Sequence, residues 1–294
     1  MIDYLKRSLM FVPAHNNKLM DSAVRSSADV LLLDIEDSVQ PVENKQKARD
    51  NIIEYVTTKK FNNRILFPRV NDRESGELLK DVYQLTIPGI TGFLYPKAKT
   101  GEDIYFFGKL LETIEYEKGF PIGTFKMMAL VETTGAIVNL KEICQASPER
   151  LVAITFGCED YMTDLQGVHC CDYRNIEVAR ALIAVTARAF DIAPIDTVHI
   201  RVHDLEDLEK QLKFSRELGF EGMLVLNPKE LPLVHQYYSP SQKQIDWATE
   251  MITLSEQAIA EGKGVAVKDN KFIGPPMVKM AKQILAKKKM IDEV

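Results

Sequence analysis

Two stretches decide the fold: Lys126-Met127-Met128-Ala129-Leu130-Val131-Glu132-Thr133 and Leu151-Val152-Ala153-Ile154-Thr155-Phe156-Gly157-Cys158-Glu159-Asp160. In each, apolar residues occupy consecutive positions and then give way to acidic ones. Alternating patterns mark strands wetted on one face, whereas consecutive apolar runs mark strands covered on both faces of a parallel sheet. Six further runs follow the same rule: Ser8–Pro13, Val30–Asp37, Arg64–Asn71, Gly92–Lys97, Ile195–Arg201 and Glu221–Pro228. Amphipathic segments separate them, at about 18–27, 43–60, 76–85, 101–118, 135–145, 175–190 and 204–218. In the last of these Leu205, Leu208, Leu212 and Leu218 recur at helical spacing behind a capping Asp204. An eighth helical stretch covers 241–262. Eight strands, each followed by a helix, predict an α/β chain folded as a (β/α)8 TIM barrel. An open doubly wound sheet is the rival, but no G-x-G-x-x-G turn is present to open it.

Beyond Gly262 the pattern changes to a short hairpin turning near Asp269-Asn270 and a final helix over Met277–Lys289. The expected division is therefore a barrel over residues 1–240 and a C-terminal hairpin-helix extension over 241–294. With 37 basic against 42 acidic residues the net charge is −5, which counts against nucleic acid as a partner. No apolar run reaches the ~18 residues of a membrane span. The first residues lack a basic segment leading into an apolar one, so a cytoplasmic protein is expected. Four cysteines without a C-x-x-C pair agree with a reducing compartment. His169-Cys170-Cys171-Asp172 gathers metal-ligand types, but consecutive side chains cannot all face one ion, and the segment reads as a polar loop.

In such a barrel the chemistry lies where the strands end. Those ends carry Asp34, Glu36 and Asp37; Arg69 and Asn71; Lys97; Glu132; Glu159 and Asp160; His199 and Arg201; and Asn227. Glu132 and Asp160 follow almost wholly apolar runs of neighbouring strands, so both carboxylates can face one point. Oxygen donors without histidine or cysteine suit a hard cation such as Mg2+. Arg69 can fork a substrate carboxylate, or form an ion pair with Asp34, Glu36 or Asp37, and the two roles are compatible. Lys97 divides evenly between an ion pair and a substrate contact. His199 and His203 read first as hydrogen-bonded structural groups. Gly157 and Gly135 stand beside the acidic pair, as expected where a ligand approaches the backbone.

Arg7-Ser-Leu-Met-Phe-Val-Pro13, Leu33-Asp-Ile-Glu-Asp-Ser38, Arg69-Val-Asn71, Tyr95-Pro-Lys97, Leu130-Val-Glu-Thr133 and Gly157-Cys-Glu-Asp160 together resemble, in order and spacing, the motifs of the HpcH/HpaI aldolase–citrate lyase β-subunit family. The resemblance runs from about residue 7 to residue 280. It implies a TIM barrel and Mg2+-dependent cleavage or formation of a C–C bond beside an acyl thioester. It further implies Glu132 and Asp160 as metal ligands, Arg69 as the substrate-carboxylate anchor, and Glu36 and Asp37 as holders of metal-bound waters. Substrates of this class are 3-hydroxyacyl thioesters such as malyl-, citramalyl- or citryl-CoA, which yield a 2-oxo acid. Family members form trimers or larger homo-oligomers, and one subunit's C-terminal segment covers its neighbour's site.

Three departures stand out. Gly274 occupies the place of an acid/base Asp, which leaves the proton transfer to water, to His203 or to another group. Ala14-His15-Asn16-Asn17 replaces a turn associated with thioester-carrier contacts, and Asn227 stands where histidine is usual. These departures keep two rivals in view: an aldolase acting on CoA-free 2-oxo acids, and a weakly catalytic accessory subunit that binds them.

Overall fold

The structure is a computed structural model that describes residues 4–293, apart from 169, 171, 202, 263–264 and 269–270. Eight parallel strands form its sheet: β1 (Ser8–Pro13), β2 (Val30–Asp34), β3 (Ile65–Leu66), β4 (Gly92–Tyr95), β5 (Lys126–Val131), β6 (Leu151–Phe156), β7 (Ala193–Asp196) and β8 (Gly222–Val225). Neighbours run β3-β2-β1-β8-β7-β6-β5-β4. The ring closes between β3 and β4, where Arg69 bridges Asp34 on one side and Leu94 on the other. Leu94 N–H donates to Pro68 O at 2.9 Å and Val70 N–H to Leu94 O at 3.2 Å across that seam. The protein is a (β/α)8 TIM barrel.

Every residue of β2, β4, β7 and β8 is buried, the consequence of covering a parallel sheet on both faces. The helices are α1 (Asn17–Arg25), α2 (Asn44–Thr57), α3 (Leu78–Leu85), α4 (Gly101–Lys118), α5 (Thr134–Val138), α6 (Leu140–Gln145), α7 (Cys158–Leu165), α8 (Arg174–Ala189), α9 (Leu205–Leu218), α10 (Leu231–Tyr238), α11 (Gln242–Ala260) and α12 (Pro275–Asp292). Side-chain caps set several starts. Asn16 accepts from Lys18 N–H and Leu19 N–H, and Asp204 accepts from Asp207 N–H, as its position before the leucine repeat predicts.

Several boundaries differ from the sequence reading. The ladder strands are shorter than the runs read from sequence: β2 ends at Asp34, β3 keeps only two ladder residues, and β6 ends at Phe156. Asp160 therefore sits not on a strand but in the first turn of α7, a helix hidden in the polar end of the run. The helix expected over 135–145 is broken at Asn139 into α5 and α6.

Lys6–Val234 forms one compact unit, and His235–Val294 with Met1–Leu5 forms a second. Within the second, α11 and α12 pack over a small core of Ala248, Met251, Ala258, Ile273 and Ala281. Strands β9 (Ala266–Lys268) and β10 (Lys271–Ile273) pair antiparallel there. The expected turn at Asp269-Asn270 lies outside the described residues, as do His169 and Cys171 of the polar loop.

Candidate active site

A cavity of about 430 Å3 opens in the barrel unit. Its walls include Phe11, Asp34, Asp37, Ser38, Arg69, Glu132, Gly157, Cys158, Glu159, Asp160, Val198 and Leu226. These residues lie at or just beyond the C-terminal ends of the strands, where the βα loops converge. Of the residues singled out in the sequence, Asp34, Asp37, Arg69, Glu132, Gly157, Glu159 and Asp160 meet here.

Arg69 follows β3 on the closing seam and is 9% exposed. Its guanidinium forks Asp34, with Nε donating to Oδ1 at 2.7 Å and Nη2 to Oδ2 at 2.6 Å. Nη1 lies 2.9 Å from Glu36 Oε2 and donates to Asp37 Oδ2 at 3.1 Å. The Phe11 ring supports the group from 4.8 Å. Asp34 is itself fixed, because Glu36 N–H and Ser38 N–H donate to its carboxylate. Burial works against that carboxylate, yet Arg69 outweighs it and holds Asp34 below its ordinary pKa. The ion-pair role of Arg69 is thus present, and its planar group also faces the cavity.

Glu132, one residue past β5, is 2% exposed. Lys97 N–H donates to its Oε1 at 2.7 Å, from a residue whose φ of 52° turns the chain sharply. Burial, then the charges of Glu36 and Asp160, push Glu132 up to about 8. Asp160 is exposed on the same wall. Glu36, 4% exposed, is pushed up to about 7, first by burial and with Arg69 opposing. Its oxygens lie 2.9 Å from Arg69 Nη1 and 2.8 Å from Lys97 Nζ, but without hydrogen-bond alignment.

The site thus holds more carboxylate than its two cations neutralise. An uncompensated pair of oxygen donors, one buried and one exposed, fits a divalent hard cation that keeps open positions for water and substrate. Among the described residues no group of three or more His, Cys, Asp or Glu side chains is placed to hold a metal ion, so a cation here would rest on the two carboxylates with water and substrate in its other positions.

Lys97 directs its ammonium to Glu36 (2.8 Å) and Asp72 (3.4 Å), the ion-pair half of its expected role, and its backbone N–H also serves the site through Glu132. Gly157 lines the cavity and also leaves room for Glu132: a Cβ there would meet Glu132 Cβ and Oε2, each at 2.8 Å. Gly135 has only Thr133 Oγ1 at 3.9 Å near such a Cβ, and no close approach requires it. His203 is exposed and lines a different, shallow depression. Asp34 was visible in the sequence only as an optional partner; its place one strand before Arg69 was the available signal.

Gly274 caps α12 in the C-terminal unit, and a Cβ there would meet the Phe272 ring at 2.5 Å. A side chain at 274 would require the exposed Phe272 ring to move aside.

A family model for HpcH/HpaI aldolase/citrate lyase matches residues 7–228. The chain belongs to that family. It is 31% identical over 281 residues to the citrate lyase subunit beta of Leuconostoc mesenteroides subsp. cremoris, covering 96% of this chain and 92% of that protein. It is 28% identical over 306 residues to an L-malyl-CoA/beta-methylmalyl-CoA lyase of Cereibacter sphaeroides, covering 97% and 95%. A crystal structure of CitE from Mycobacterium tuberculosis, with magnesium, acetoacetate and coenzyme A, shares the fold at a TM-score of 0.74 and 24% identity, covering 95% of this chain and 97% of that one. The two relatives named here are a citrate lyase subunit and a lyase named for CoA thioesters. No helix of the described residues is long and apolar enough to cross a membrane.

Proposed function

We propose that the chain is a Mg2+-dependent carbon–carbon lyase of the citrate lyase β-like class, cleaving or forming a 3-hydroxyacyl thioester with a 2-oxo acid as the second product. The observation that carries this reading is the meeting of Glu132, Asp160 and the Arg69 guanidinium on one cavity wall. Cleavage of a 3-hydroxyacyl thioester asks for three things: a held carboxylate, stabilisation of the hydroxyl oxygen as its proton leaves, and a proton for the thioester enolate.

Arg69 supplies the first. Its fork already engages Asp34, so the planar group is oriented before substrate arrives, and a carboxylate approaching from the cavity meets a fixed donor. Glu132 and Asp160 would hold the cation, with Asp37 on the same wall and Glu36 beneath Arg69 placed to accept from its waters. When bound, Mg2+ supplies charge stabilisation for the oxygen that becomes the 2-oxo group. The C–C bond then breaks, its electrons pass into the thioester enolate, and that carbon takes a proton. With Gly274 in place of an acid, this reading assigns to water both the uptake of the hydroxyl proton and the proton delivered to the enolate carbon.

The magnesium, acetoacetate and coenzyme A of the Mycobacterium tuberculosis CitE structure and the malyl-CoA lyase relative support a thioester substrate. A cytoplasmic homotrimer or hexamer is part of the same reading. Gly274 favours one alternative, an aldolase acting on CoA-free 2-oxo acid substrates.

Purified protein with Mg2+ and malyl-, citramalyl- and citryl-CoA tests the proposal by product analysis. Release of a 2-oxo acid and an acyl-CoA, lost in Glu132→Ala, is the expected result. Cleavage confined to CoA-free hydroxy-oxo acids moves the assignment to the aldolase. Binding of pyruvate or oxaloacetate without turnover of any substrate makes the chain an accessory subunit.

A further inference from the structure

A cluster of buried titratable groups beside the cavity takes no part in the chemistry proposed above. His199, three residues past β7, is 1% exposed. Its Nε2 lies 3.2 Å from Asp207 Oδ2, in the first turn of α9, and its Nδ1 lies 3.8 Å from Glu230 Oε1, in the turn after β8. Asp207 has two further partners: Tyr173 Oη donates to it at 2.6 Å, and Arg201 Nη1 stands 3.2 Å away. Glu230 is fully buried, and neither of its carboxylate oxygens has a hydrogen-bond partner. An ionised carboxylate so placed costs several kcal/mol unless a cation faces it. Among the described residues the His199 ring is the group that faces it and can carry that charge when protonated.

Burial disfavours charge on that ring, but Glu230 and Asp207 outweigh it and hold His199 above its ordinary pKa. The charged and titratable groups facing the ring come from separate segments: Asp207 from α9 and Glu230 from the turn after β8. Tyr173, at the start of α8, and Arg201, from the ring's own loop, act through Asp207. The next residue back, Val198, lines the 430 Å3 cavity and also a smaller adjoining one of about 270 Å3. Thr197 Oγ1 accepts from Cys158 N–H at 3.2 Å, tying the same segment to the turn of α7 that carries Asp160.

We propose that His199, as an imidazolium clamped between Asp207 and Glu230, is a positioning residue that fixes the Val198 wall of the cavity. The inference rests on reading that cavity as a 2-oxo acid site. Loss of the ring proton leaves Glu230 facing a neutral group, the end of β7 and the turn after β8 lose their attraction, and Val198 moves with them.

The test uses the full chain labelled with 13C at histidine and at valine methyls, followed by NMR through a pH titration. The His199 ring is expected to titrate above the ordinary ~6.5, and the Val198 methyls to shift with the same midpoint. Glu230→Gln is expected to lower both midpoints together by about one unit. Should that variant not fold, Asp207→Asn provides the same comparison. Calorimetric affinity for oxaloacetate with Mg2+ is expected to weaken several-fold across the shared midpoint, and at lower pH in Glu230→Gln. A His199 ring that titrates at ~6.5 in the unaltered protein overturns the proposal. So do Val198 methyls that ignore the His199 titration. If the unaltered protein binds no oxaloacetate at any pH, the functional reading of the cavity fails, and the two methyl and ring titrations decide the clamp by themselves.

Discussion

A Cβ on Gly157 would stand 2.8 Å from both Cβ and Oε2 of Glu132. The strand β5 delivers Glu132 to the rim, but the bare backbone of the β6–α7 turn gives its carboxylate room to lie there. Gly157→Ala is therefore expected to push Glu132 out of its hydrogen bond with Lys97 N–H. Overpacking of this kind costs about 1–3 kcal/mol. Urea denaturation measures that cost, and calorimetry is expected to show Mg2+ affinity reduced by about tenfold or more. Unchanged Mg2+ binding would separate Glu132 from the metal site.

Asp160 offers the opposite case, an exposed carboxylate with no packing role. Asp160→Asn is expected to leave stability within about 0.5 kcal/mol while abolishing Mg2+ binding. Thermal unfolding and a Mg2+ titration on the same sample decide it. Removal of Mg2+ by a chelator is expected to weaken oxaloacetate binding by the unaltered protein to the level of this variant.

Arg69 serves the barrel seam and the cavity at once, so a conservative change separates the two roles. Arg69→Lys keeps the charge but loses the fork to Asp34. The expected losses are about 1–3 kcal/mol of stability, from a buried carboxylate left partly without donors, and about tenfold in oxaloacetate affinity. A variant destabilised to that extent with full affinity would confine Arg69 to the seam.

Acid stability depends on a pair far from the cavity. Arg150 Nη2 donates to Glu115 Oε2 at 2.6 Å and Nη1 to Oε1 at 2.9 Å, while Gly123 N–H and Phe125 N–H complete the carboxylate's donors. Burial opposes the charge, but these donors, led by Arg150, hold Glu115 below its ordinary pKa. A carboxylate with a depressed folded pKa contributes stability above the unfolded value, and that contribution is lost as pH falls through the folded one. Glu115→Gln leaves the Arg150 charge buried without its partner, a cost of about 3 kcal/mol near neutrality. Urea midpoints measured from about pH 7 to about pH 3 are expected to show the gap between variant and parent narrowing below the ordinary carboxylate range.

Much of the barrel was legible because a strand covered on both faces leaves a strong mark in sequence. Met127–Val131 and Leu151–Phe156 show it, and so does Val30–Asp34. The rim was less legible. The run through Phe156 passes directly into Gly157-Cys158-Glu159-Asp160, and a strand read on to Asp160 misses the start of α7 at Cys158. Nothing local marks where a ladder ends, since that depends on what the neighbouring strand offers. Lys97 shows a second limit: its residue type points to a charge–charge contact, but its backbone N–H is what reaches Glu132. The His199 cluster left only a faint trace, an acidic Glu230 just after Asn227-Pro228 and a histidine at a strand end.

The order of the elements and the acids and bases at each strand's end follow from the sequence alone, because burial of consecutive apolar residues and the short reach of βα loops admit few other arrangements. Which of those groups meet is a matter of tertiary structure. Glu132 and Asp160 share a wall because β5 and β6 are neighbours and Gly157 leaves room. Arg69 bridges two strands because the ring closes on it. Asp207 and Glu230 face His199 across chain segments that no local pattern relates. The long-range pairing of backbone and side chain decided each of these, and with them the charge that the cavity presents to a cation.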